Sequence, residues 1–138
     1  MMCEQVWTPN SQIRTLEIVE NNCSVQERLG SEKAIYTFKP EYFNDTNSTF
    51  RVCWNKGKLS LTLLTGSSLS LDTAKTLQYI QPTVSRENEP VCYSIALIPK
   101  KTANQSIAKG PKELLLLVEG YEKVNEYNID FYEGDRCS

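Results

Sequence analysis

The feature that most limits what this 138-residue chain can fold into is its set of five cysteines, Cys3, Cys23, Cys53, Cys92 and Cys137. Free thiols are few in proteins kept reduced, whereas a secreted domain gains about 2–4 kcal/mol from each bridge that restrains its unfolded chain. Four Asn-x-Ser/Thr tripeptides, at Asn22, Asn44, Asn47 and Asn104, are acceptors for N-glycosylation and point to the same compartment. The chain therefore reads as a secreted, extracellular glycoprotein held by disulfides. The N-terminal residues lack a basic-then-apolar leader, so a signal peptide is expected to have been removed, and Met1 and Met2 carry no fold argument. Five thiols make two intrachain bridges and leave one over, either unpaired or free to link a dimer. Cys3 and Cys137 lie at the two ends and both are expected to be bonded, to each other or to Cys23, Cys53 and Cys92, because that would oppose fraying.

Length and charge narrow the classes further. At 138 residues the chain suits one domain with a core of its own. Lys and Arg total 15 against 17 Asp and Glu, with the signs interspersed, so no basic field exists to draw nucleic acid. The longest apolar run, Leu114-Leu115-Leu116-Leu117-Val118, is far short of the roughly 20 residues that span a bilayer. Zinc needs clustered ligands, but the chain has no histidine and its cysteines are spaced far apart, so neither metal nor cofactor is expected.

The missing histidine also removes the imidazole base on which Ser-His and Cys-His nucleophiles depend. No Gly-rich phosphate loop is present. Glu4, Glu17, Glu20, Glu87, Glu89, Glu119, Glu122 and Glu126 offer carboxylate pairs, but an acidic surface offers the same pairs, and the chain reads as a non-enzyme.

Hydrophobic patterning is mostly of period two. Strands are expected at 13–19, at 33–38, where Pro40 limits the run, at 72–80 and at 91–98 before Pro99. Phe50, Val52 and Trp54 alternate on one face, as do Leu59, Leu61 and Leu63. The intervening Asn55-Lys56-Gly57 predicts a hairpin turn. Residues 82–90 and 100–110 are polar and Pro- or Gly-broken, and read as loops. Around Leu114–Val124 helical spacing competes with a buried strand, and Gly120 favours two strands, at about 113–119 and 125–132. About eight strands result, mostly β and antiparallel, closing as a barrel or packing as a two-sheet sandwich.

Aromatic residues on these strands, Trp7, Tyr36, Phe50, Trp54 and Tyr93, are candidates to line a cavity for a small apolar or amine ligand, although ordinary core packing uses the same residues. Tyr42 and Phe43 sit beside two glycosylation tripeptides in a connection and are candidates for contact with a protein partner. A secreted chain of this length, with Trp7 near its start, about eight strands and Cys137 at its end, resembles the lipocalins in architecture. Gln5-Val6 stand where that family carries Gly-x before the Trp. The resemblance implies an eight-stranded barrel that carries or scavenges a small ligand.

The second reading is a β-sandwich immune modulator that binds an extracellular protein such as a cytokine, chemokine or receptor. An antibody-type domain is disfavoured. Trp54 directly follows Cys53 instead of trailing it by more than ten residues, and neither Cys92 nor Cys137 has a Tyr two places before it.

Overall fold

A computed structural model describes residues 2–3, 5–7, 13–18, 23–38, 48–66, 73–86, 88–97 and 113–133. They form nine strands: β1 (Gln5–Trp7), β2 (Arg14–Ile18), β3 (Ser24–Leu29), β4 (Lys33–Phe38), β5 (Ser48–Gly66), β6 (Lys75–Ser85), β7 (Val91–Leu97), β8 (Glu113–Gly120) and β9 (Asn125–Glu133). All belong to one sheet of order β1-β2-β4-β8-β5-β9-β3, with β6 and β7 also paired to β5. Every pairing is antiparallel except that of β2 with β4, so the sheet is mixed where an antiparallel one was expected. In an up-and-down barrel each strand pairs with the next; here only β1 with β2 and β5 with β6 do so.

The 19-residue β5 organises the sheet. Its first half pairs with β9 and β7, and its second half with β8 and β6. The expected hairpin is therefore absent, because Asn55-Lys56-Gly57 carries the strand onward instead of reversing it. Gly57 takes φ 105°, and the ladder slips between Trp54 and Lys56, which is a bulge rather than a turn. A bulge increases local twist, and β5 here leaves one set of partners for another.

The neighbouring strands break at the same level. β8 followed by β9 runs antiparallel to the whole of β5, interrupted at 121–124, and β3 followed by β4 runs antiparallel to β9 and then β8, interrupted at 30–32. On the other side of β5, β6 and β7 do the same around 86–90. The loop expected at 82–90 is shorter than predicted, since β6 continues through Pro82 to Ser85. Pro82 is tolerated because among the described residues β6 pairs with β5 alone and its register shifts between Ile80 and Thr83.

Asn125 holds this level together. It is fully buried, and its Nδ2 donates to the carbonyls of Leu29 (3.0 Å), Gly30 (3.2 Å) and Glu122 (3.0 Å) while its Oδ1 accepts from the Lys58 amide (2.8 Å). Carbonyls and an amide left over by three interrupted strands thus find partners in one side chain, as buried backbone groups require.

Alternation then decides what is buried. Val25 and Leu29, Ala34 and Tyr36, Val52 and Trp54, Leu59 and Leu61, Leu116 and Val118, and Tyr127, Ile129 and Phe131 meet in one core. Leu115 packs with Ile35 and Leu64 in a second, smaller cluster on the opposite face, with Leu117 against it. The Leu114–Val118 run is apolar throughout because β8 is covered on both faces, which explains why its sequence also suited a helix.

The two ends of the sheet order come together at the N-terminus. Met2 bridges to Ser24, the Cys3 amide donates to the Ser24 carbonyl at 2.8 Å, and Cys3 is disulfide-bonded to Cys23. The sheet is thereby curled into a barrel-like form. The second bridge joins Cys53 of β5 to Cys92 of β7. Two intrachain bridges match the expected number, and Cys137 lies outside the described residues.

Candidate functional site

Of the aromatic residues named as cavity-lining candidates, Tyr36, Trp54 and Tyr93 have described side chains, and all three pack against protein. Tyr36 is fully buried, with its hydroxyl 2.7 Å from that of Tyr127 and the two rings edge to face at 6.4 Å. Burial pushes both phenols well above their usual range, the nearby Glu27 adds to this, and the Arg14 guanidinium partly opposes it. Arg14 pairs with Glu27 at 2.7 Å and thereby joins β2 to β3. Tyr36 and Tyr127 are consequently neutral hydrogen-bonding core residues, with neither hydroxyl turned to solvent.

Trp54 is also buried, donating from Nε1 to the Thr83 carbonyl at 3.2 Å and stacking on Tyr93 with ring centroids 5.8 Å apart. That stack lies against the interior from the β6 and β7 side. Trp7 and Phe50 lie on β1 and β5, opposite Leu16 and Phe131, and their side chains are outside the described set. Tyr42, Phe43, Asn22, Asn44, Asn47 and Asn104 also lie outside the described residues.

Described residues line two surface depressions. The larger, of about 620 Å³, lies on the outer face of β3, β9 and β5, lined by Gln26, Arg28, Glu126, Asn128, Asn55 and Cys53, with Pro90 at its rim. Arg28 is bidentate on Glu126 Oε2, through Nε at 3.0 Å and Nη2 at 2.6 Å. The smaller lies at the level of the strand breaks, where Lys56, Tyr121, Glu122 and Lys123 surround Gly57. Among the described residues no group of three or more His, Cys, Asp or Glu is placed to hold a metal ion, and no helix is long and apolar enough to cross a membrane.

The third surface feature is β6, which nothing in the sequence marked as a site. Leu77, Tyr79 and Val84 are 40%, 58% and 54% exposed, and among the described residues β6 forms a ladder with β5 alone. Among the described residues its outer edge therefore has no strand partner, and exposed apolar side chains lie beside it. Sequence periodicity identified the strand but not its place at the edge of the described sheet, because edge position depends on which partners arrive from elsewhere in the chain.

No protein-family model matches the chain, and no curated protein matches it. Among solved structures it is similar to the pre-peptidase C-terminal domain of a collagenase from Bacillus anthracis, at 15% sequence identity over 88% of this chain and 98% of that one, with a TM-score of 0.48. It is also similar to PirA, at 8% identity over 79% of this chain and 93% of that one, with a TM-score of 0.45.

Proposed function

We propose that this is an extracellular, disulfide-bonded binding protein that holds its partner non-covalently and takes a protein partner along β6. The observation that carries the reading is the exposed edge of β6 with Leu77, Tyr79 and Val84 upon it. Solvated edges are ordinarily blunted by charge, proline or bulges; β6 has Pro82 and two register shifts but a single charged residue, Lys75, so the stretch from Leu77 to Tyr79 is free of charge and proline. An extended segment of a partner, added as a further strand, would gain backbone hydrogen bonds and cover those side chains. The small-ligand carrier reading has less support, because Tyr36 and Trp54, two of its candidate contacts, are already satisfied by protein neighbours in the core.

Native mass spectrometry of the protein isolated from its own source tests this. A bound protein, lost on Leu77→Lys with Tyr79→Lys, is expected. A bound small molecule with no protein, retained by that variant, would return the carrier reading.

A further inference from the structure

The two disulfides differ in what surrounds them. Cys3 and Cys23 are 8% and 4% exposed and lie within the main core. Cys92 is exposed and Cys53 half-buried on the outer face of the sheet. Cys53 and Cys92 also stand directly opposite one another in the β5–β7 ladder, with backbone pairing from Ser48–Leu97 to Trp54–Val91. Opening this bridge leaves both strands paired, whereas Cys3–Cys23 anchors the N-terminus to β3.

We propose that Cys53–Cys92 is a thiol–disulfide exchange site, opened by an extracellular thiol that attacks Cys53 Sγ and expels Cys92. Displacement at sulfur proceeds with the entering and leaving sulfurs on opposite sides of the one attacked. β5 lies between β9 and β7, so Cys92 is across one ladder from Cys53 and Asn128 across the other, and the depression that Cys53 lines takes in Asn128 and Pro90. Lining that open depression leaves Cys53 accessible to an incoming thiol. On the leaving side, Arg51 Nη2 is 3.6 Å from Cys92 Sγ and stabilises the thiolate that develops there.

The exchange balances as follows. The thiolate RS⁻ forms a bond to Cys53 Sγ, the Cys53–Cys92 bond breaks, and its electron pair leaves on Cys92. A second thiol, from another molecule or from the same dithiol, then displaces Cys53 as thiolate and departs oxidised as RS–SR. Two electrons pass from two thiols to the bridge. The covalent link that closes the chain between β5 and β7, around β6, is removed while the ladder remains.

The test exposes the full chain to glutathione as the probe and quenches timed samples with excess iodoacetamide to cap any freed thiol, followed by peptide mapping and far-UV circular dichroism. Glutathione is expected on Cys53 and the alkyl cap on Cys92, with Cys3–Cys23 intact and the strand spectrum unchanged. Arg51→Gln should slow opening by roughly 3- to 10-fold as the leaving thiol becomes less acidic. Equal opening of both bridges, glutathione mainly on Cys92, or opening only with loss of the strand spectrum overturns the proposal. An unchanged rate in Arg51→Gln overturns the role of that guanidinium, and adduct mapping on the unmodified chain stands whether or not the variant folds.

Discussion

Asn125 fills the space that a side chain on Gly57 would need: a β-carbon there would fall on Asn125 Oδ1 and 2.8 Å from its Cα. The same oxygen accepts the Lys58 amide, so glycine at 57 is required twice, by its φ of 105° and by its neighbour. Gly120 meets Asn125 from the other side, with a β-carbon 2.6 Å from Nδ2.

Asn125→Ala should cost about 3–5 kcal/mol, since each buried backbone group it leaves unpartnered costs about 1–3 kcal/mol. Gly57→Ala is expected to be comparably damaging. Urea unfolding with bridges intact measures both, and a loss under about 1 kcal/mol for either would refute the assignment of this level as the organising point of the sheet.

The Tyr36–Tyr127 hydroxyl pair predicts non-additivity. Tyr36→Phe or Tyr127→Phe alone leaves a buried hydroxyl without its partner, at about 1–2 kcal/mol, while the double variant removes both groups and should cost less than the sum of the two. A double-mutant cycle in urea reads the coupling directly.

The same pair sets a pH dependence. Both phenols titrate higher in the folded protein than in the unfolded chain, whose tyrosines ionise near pH 10. The folded state binds more protons in that range, so stability is complete below about pH 10 and falls above it, by up to about 1.4 kcal/mol per pH unit for each phenol. Unfolding free energies measured between pH 8 and 11 should show this decline, and it should flatten in the Tyr36→Phe, Tyr127→Phe double variant.

Asn44 and Asn47 are separated only by Asp45 and Thr46, so a glycan on one obstructs the transferase at the other. Glycopeptide mapping from a eukaryotic host should find molecules carrying one of the two. Majority double occupancy would remove the steric argument.

With Cys3, Cys23, Cys53 and Cys92 consumed in two bridges, Cys137 should be the single thiol that labels in the folded chain, or the one that links a dimer. Non-reducing mass spectrometry after labelling distinguishes these outcomes, and labelling of any other cysteine without added thiol contradicts the pairing.

What the sequence determined by itself is local. Period-two alternation at Tyr127, Ile129 and Phe131 placed β9, and Pro40 bounded β4 near Phe38, because a strand's face and its breakers are written in neighbouring residues. The odd cysteine count likewise implied two bridges before any geometry was known. Tertiary structure alone decided what depends on partners distant in the chain. Asn55-Lys56-Gly57 carries turn residues, yet β8, β9, β6 and β7 pair along both halves of β5 and hold it extended, so a bulge forms where a hairpin was expected. Asn125 gave no signal, since its four hydrogen bonds join groups 3 to 96 positions away. Trp54 and Tyr36 were candidates for cavity lining with core packing the more ordinary use, and their surroundings depend on Thr83, Tyr93 and Tyr127, residues that local pattern does not link to them.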